Sequence, residues 1–136
     1  MIYQKEFTLT SRGRGYHLVT REISEHLPGS GEDGILHLFM KHTSAGLTIN
    51  ENADPSVRDD FRGFLDKLIP ENDPVYTHTL EGADDMPAHL KSSLLGNGVT
   101  IPLTSGKMNL GTWQGIYLCE FRNHGGPRKI VMTVYS

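Results

Sequence analysis

Three stretches of this 136-residue chain carry side chains that could do chemistry. The first runs from His42 through Thr43, Ser44, Ala45, Gly46, Leu47, Thr48, Ile49, Asn50, Glu51, Asn52 and Ala53 to Asp54. A histidine followed by small hydroxyl residues and a glycine lets a ligand approach the backbone closely. Hydroxyls and free N–H groups there suit phosphate oxygens, which makes Ser44 a candidate phosphate contact. By strand parity Asn50 shares a face with Thr48 and Asn52 and is a candidate substrate contact. Asp54 stands directly before Pro55, the arrangement of a helix cap.

The second stretch runs from His78 through Glu81, Asp84 and Asp85 to His89, Ser92 and Ser93. Asp85 precedes His89 by four residues, so on a helix the two share a face. His42, His78 and His89 belong to three different elements and could converge on one divalent ion. Neutral imidazole suits zinc and similar metals, and Asp or Glu adds oxygen ligands. The spacing matches neither a zinc finger nor HExxH, so a solvated acidic loop beside a packed histidine stays open as the alternative. Ser92 and Ser93, one turn beyond His89, are candidate phosphate donors, aided by the free N–H groups of a helix start.

The third stretch contains Gln114, Glu120 and Arg128. Parity puts Gln114, Ile116, Leu118, Glu120 and Arg122 on one strand face, where Gln114 and Glu120 would line a partly buried cleft as catalytic or orienting groups. Alternatively, Glu120 pairs with an arginine across a hairpin, a contact worth little at a surface. Arg128 follows Gly125-Gly-Pro127 and suits a phosphate or carboxylate. Cys119 alternates with aromatic residues and reads as a small core side chain rather than a nucleophile.

The elements that must position these groups follow from pattern and punctuation. Strands are expected over 2–10, 16–19, 34–42, 47–52, 99–104, 112–122 and 128–135. Pro102 marks its strand as an edge or a bulge, Gly106 marks a hairpin turn, and residues 124–127 turn between the last two strands. Helices are expected from a Thr20 cap to Leu27, from Pro55 to Pro70 with Val57, Phe61, Phe64, Leu65 and Leu68 on one face, and from Met86 to Leu95. Six or seven strands and three short helices without strict alternation predict a single α+β domain with a largely antiparallel or mixed sheet.

Composition narrows the function classes. Hydrophobic residues at 37% and charged residues at 21% exclude a disordered chain. A net charge of −3 argues against a nucleic-acid partner. No apolar run reaches transmembrane length, and MIYQKEFTLT does not read as a signal peptide. With Cys119 the single cysteine, no intrachain disulfide forms, and a cytoplasmic setting is expected.

HTSAGLTINENADPSVRDD, EGADDMPAHLKSSLLG and GTWQGIYLCEFRNHGGPRKI closely resemble the YjbQ-like family, over nearly the whole chain. The resemblance implies an α+β homotrimer, a divalent metal, and a secondary thiamine-phosphate synthase activity. It assigns His42, His78 and His89 as the metal set and Gln114 and Glu120 as the polar pair of the penultimate strand. The run Asp84-Asp-Met-Pro-Ala-His89 is longer than the family's usual Asn-Ala-Asp-Ala-His and inserts Pro87, so Asp84 and Asp85 both stand as the acidic partner. The expected function is therefore a metal-assisted enzyme of small phosphorylated metabolites. Its model reaction joins a pyrimidine methyl diphosphate to a thiazole phosphate, using zinc or magnesium. The alternatives are a metal-dependent hydrolase with Glu120 or Asp85 as base, or a metal- or metabolite-binding trimer without catalysis.

Overall fold

A strand that is apolar on both faces needs cover on both, and the stretch around Ile116 to Phe121 obtains it. In the computed structural model, which describes residues 1–136, eight strands and three helices follow one another. They are β1 (Ile2–Leu9), β2 (Gly15–Leu18), α1 (Thr20–Ser24), β3 (Gly34–Met40), β4 (Ala45–Glu51), α2 (Pro55–Leu68), α3 (Asp85–Leu95), β5 (Gly98–Thr104), β6 (Lys107–Met108), β7 (Gln114–Glu120) and β8 (Arg128–Tyr135). All strand pairs are antiparallel. They make a five-stranded sheet ordered β1-β8-β3-β5-β6 and a three-stranded sheet ordered β2-β7-β4.

The two sheets pack face to face. Leu36, Leu38, Met40, Ile130 and Met132 of the large sheet meet Ala45, Leu47, Ile116 and Leu118 of the small one in a single buried cluster. Apolar burial of this kind is the main stabilising term. The outer face of the small sheet is covered in turn: Ala88 of α3 packs on Tyr117, Cys119 and Phe121. Burial drives the Cys119 thiol far above its usual range, so it is a core side chain, as its alternation with aromatics implies. The outer face of the large sheet has no such cover. A cross-strand row of Ile2, Tyr135, Ile35 and Pro102 runs over it, with Ile2, Tyr135 and Ile35 half-exposed or more.

Several local signals act as their residue types dictate. Asp54 caps α2 by accepting a hydrogen bond from Ser56 N at 2.9 Å. Ser105 and Gly106 both take positive φ in the two-residue turn that joins β5 to β6. Pro102 lies within β5 at no cost to the β3 ladder, because its carbonyl faces the β6 side and accepts from Asn109 N.

Four expectations change. Thr20 is the first residue of α1, not its cap, and its hydroxyl accepts from Ile116 N on the small sheet. The apolar stripe of α2 is only partly buried: Leu65 is enclosed and Phe61 meets Tyr16, but Phe64 and Leu68 are exposed. The strands expected at 34–42 and 47–52 follow each other closely in sequence but are not neighbours, because β3 and β4 lie in different sheets. Likewise β7 and β8 form no hairpin. The chain passes between the sheets several times, and the chemistry gathers around two of these crossings, at 41–44 and at 121–127. No helix is long and apolar enough to cross a membrane.

Candidate functional site

α3 begins beside the second crossing. Asp84 sits at its N-cap position but makes no cap bond; its Oδ2 accepts from Arg122 Nε at 3.0 Å and from Asn123 N at 2.9 Å. Asp85, the first helical residue, is 1% exposed. Its Oδ1 accepts from Arg122 Nη1 at 2.7 Å. Its Oδ2 lies 2.7 Å from His78 Nε2 and 3.1 Å from His89 Nε2. The choice between the two aspartates is thereby resolved in geometry: Asp84 ties the loop to Arg122, and Asp85 faces both histidines.

Burial works to raise the Asp85 carboxyl, but the contacts with His78 and His89 and the charge of Arg122 outweigh it. The carboxyl is held below the usual range. Asp84 is likewise lowered, with the Asn123 N–H and Arg122 prevailing over burial. Parity in the sequence places Arg122 on the Glu120 face but assigns it no role. The signal that could have found it is the need of two adjacent aspartates at a helix start for a bidentate cation.

His89 Nδ1 is 3.0 Å from the carbonyl of Thr43. A carbonyl only accepts, so Nδ1 carries the hydrogen. A neutral His89 then turns a bare Nε2 lone pair toward the carboxylate oxygen of Asp85. Two acceptors at 3.1 Å repel unless positive charge lies between them. His78 approaches the same oxygen, its ring centroid 5.5 Å from that of His89. One ligand atom from each of His78, Asp85 and His89 falls within 4.8 Å of the others. Ligand atoms on a tetrahedral zinc, with bonds near 2.0–2.1 Å, stand about 3.3 Å apart. The trio could therefore hold one divalent ion after a small adjustment in which the two Asp85 contacts open slightly, and the Thr43 carbonyl orients His89 in the way outer groups orient metal-binding histidines.

The three-histidine set expected from sequence is not the set that gathers. His42 stands outside it, because its Nε2 accepts the Lys129 N–H at 2.8 Å. It lines, with Thr43, His89, Ser93 and Asn97, a polar cleft of about 410 Å3 on one side of the trio. His78 lines a second cleft of about 340 Å3 with Tyr76, Met86 and Asn72.

The remaining candidates divide sharply. Ser93 is exposed in the His42 cleft. Ser92 borders the same cleft, but its hydroxyl is committed to the Ala45 carbonyl at 2.8 Å. Arg128 and Glu120, both almost fully buried, form a two-pronged ion pair: Nε to Oε1 at 2.7 Å and Nη2 to Oε2 at 2.6 Å. Arg128 Nη2 also donates to Ser44 Oγ at 3.0 Å, and Arg122 N donates to Glu120 Oε2. Ser44, Glu120 and Arg128 thus clasp the two sheets beneath the site, and both Glu120 oxygens are taken, which disfavours Glu120 as a base. A Cβ on Gly125 would lie 2.5 Å from Arg128 Nη2 and 2.7 Å from both Glu120 oxygens, so the loop crosses close over the pair. Gln114 is remote: it is six residues along β7 from Glu120, about 20 Å of strand, and its side chain closes a turn with Gly111 N. Asn50 lies at that same far end, opposite Gly115, with its oxygen on Glu51 N.

These features define a class: a one-domain α+β protein of two antiparallel sheets, with a His–Asp–His cluster at a helix start between two clefts. The chain belongs to the family described as UPF0047 protein YjbQ-like, whose model matches residues 5–136. The UPF0047 protein YjbQ of Salmonella typhimurium is 52% identical over 136 residues, 98% of each chain. A UPF0047 protein of Methanocaldococcus jannaschii is 54% identical over 129 residues, 95% of this chain and 88% of its own. The crystal structure of an uncharacterized conserved protein of the yjbq/upf0047 family from Clostridium acetobutylicum is similar with a TM-score of 0.85 at 38% identity. It covers 96% of this chain and 99% of that one.

Proposed function

We propose that the chain is a metal-assisted enzyme of small phosphorylated metabolites, with one divalent ion held by His78, Asp85 and His89. The observation that carries this reading is the single Asp85 oxygen flanked by two imidazole Nε2 atoms, one of them on a ring whose other nitrogen is pinned to the Thr43 carbonyl. Three protein ligands leave a position open, the pattern of catalytic rather than structural zinc. Two imidazoles and one carboxylate favour zinc over magnesium, which prefers carboxylates and waters. When bound, such an ion supplies charge against phosphate oxygens. Thr43, Ser93 and Asn97 are uncommitted polar side chains of the adjoining cleft and would hold the phosphate by hydrogen bonds. Resemblance to the family makes a thiamine-phosphate synthase-like transfer the specific candidate reaction, in which the departing diphosphate is the group to be neutralised.

Zinc titration of chelator-treated protein tests the site directly by calorimetry. One equivalent should bind per chain, and product formation from the pyrimidine diphosphate and thiazole phosphate should appear only in the loaded protein. A chain that binds no zinc, manganese or magnesium removes the reading.

The partner in solution is a second and third copy of the chain. The uncovered row of Ile2, Ile35 and Tyr135 and the exposed Phe64 and Leu68 of α2 supply apolar surface larger than scattered single residues, and the family resemblance favours a trimer. Light scattering should give about three times the 15.1 kDa chain mass; a monomer at micromolar concentration overturns this. A buried free thiol and no disulfide support a cytoplasmic setting.

A further inference from the structure

His42 lies two residues past the end of β3, in the 41–44 crossing between the sheets. There the ladder with β8 ends: Lys41 N still donates to the Lys129 carbonyl at 3.1 Å, but the next N–H, that of Lys129, meets the His42 side chain instead, at 2.8 Å from Nε2. A backbone N–H only donates. Nε2 must therefore present its lone pair, and a neutral ring bonded this way carries its one hydrogen on Nδ1.

The surroundings keep the ring neutral. Burial and the nearby Arg128 guanidinium, with Lys129 and Lys41, depress the His42 pKa, and they prevail over the opposing pull of Glu120. Protonating Nε2 would also break the bond from Lys129. Nδ1 has no hydrogen-bond partner within the protein, and it is not enclosed, since His26 Nδ1 is the one buried side-chain polar atom without a partner. The ring lines the cleft that also holds Thr43, His89, Ser93 and Asn97.

We infer that His42 is a neutral hydrogen-bond donor whose Nδ1–H is offered to an anionic oxygen of the ligand in this cleft, a phosphate oxygen on the reading proposed above, on which this inference rests. It is neither a metal ligand nor a base. Both of those roles need a free lone pair, and the only lone pair on the ring is held by Lys129. No lysine or arginine lines the cleft, so its donors, Nδ1–H, the Ser93 and Thr43 hydroxyls and the Asn97 amide, are all neutral. The ligand's charge is then countered by the cation at the trio alone. The site selects an oxyanion that can reach both, and phosphate should bind only to the metal-loaded chain.

Two measurements test this. Long-range proton–nitrogen NMR on the metal-free chain, with the His42 signals assigned by their loss in His42→Gln, reads the tautomer without any ligand. A protonated Nδ1 and a bare Nε2 at neutral pH are expected; the opposite tautomer or an imidazolium overturns the inference. Calorimetry with zinc and then inorganic phosphate reads the donor role. His42→Ala should bind zinc as the parent chain does and bind phosphate about five- to tenfold more weakly, the loss of one neutral hydrogen bond. His42→Asn, which keeps a donor near the δ position, should recover part of that loss. His42→Gln, whose amide reaches toward Lys129 N instead, should not. If His42→Ala loses zinc as Asp85→Asn does, His42 is a ligand and the inference is wrong. Should the variant bind phosphate as tightly as the parent, the donor role falls while the phosphate reading stands. If the zinc-loaded parent chain binds no phosphate, both fall.

Discussion

Asp85→Asn should bind zinc more than about a hundredfold more weakly than the parent chain. The substitution keeps the shape of the side chain and an acceptor for Arg122 Nη1, now at 2.7 Å from Oδ1. It removes the negative charge that both imidazoles face across 2.7 and 3.1 Å. Loss of an outer partner of a metal ligand typically costs ten- to a hundredfold in affinity, and loss of a ligand charge costs more. Two comparisons separate a ligand from a merely structural carboxylate. Asp84→Asn should retain nearly all zinc binding, since Asp84 contacts Arg122 and Asn123 N but neither histidine. Arg122→Lys should fall between the two, at about ten- to a hundredfold, because lysine cannot hold Asp84 and Asp85 together with a planar fork. Calorimetric zinc titrations with circular dichroism melts on all three variants would show the order. An Asp85→Asn chain that is folded and binds zinc like the parent would exclude the trio as the metal site.

What the residues announce on their own is uneven, and the reason is the range over which each signal acts. Asp54 before Pro55 and Gly106 after the 99–104 strand are local, set by capping and by φ, and the structure follows them. Asp85 and His89 are also local, four residues apart on one helix, and their shared face was predictable. The assignment of β7 and β8 to different sheets was not, because residues 121–127 look like any glycine-rich hairpin turn. What distinguishes them is cover on both faces of β7, by Ile116 and Leu118 on one side and Tyr117 and Cys119 on the other, and cover is a property of the packed molecule. The sequence allows Arg128 a phosphate or a carboxylate and allows Glu120 an arginine partner; the structure pairs the two, but buried between sheets rather than at the surface of a hairpin. The place of His42 is illegible for a related reason: its Nε2 is taken by a backbone N–H 87 positions away, and no pattern in the sequence marks backbone partners.

The burial of that pair leads to the largest stability effect expected. The pair with Glu120 bridges β8 of the large sheet and β7 of the small one, with Ser44 completing it and Gly125 passing close above. Arg128→Met fills a similar volume but leaves the Glu120 carboxylate buried beside apolar neighbours with only the Arg122 N–H as partner. Breaking a buried pair from one side costs about 3–5 kcal/mol, which in a chain of this length lowers the unfolding midpoint by about 10–20 °C. The double variant Glu120→Leu with Arg128→Met removes both charges, so it should regain most of the loss. The pair itself adds little net stability over apolar residues of like size. Its use is to make the two crossings meet in one arrangement, which holds Thr43 against His89 and Lys129 against His42. The double variant should therefore be stable yet bind zinc more weakly than the parent, a split that a purely stabilising pair would not produce. Urea unfolding at one fixed protein concentration, beside zinc calorimetry, measures both. If Arg128→Met unfolds within about 1 kcal/mol of the parent, a range typical of exposed pairs, the clasp described here does not hold the sheets together.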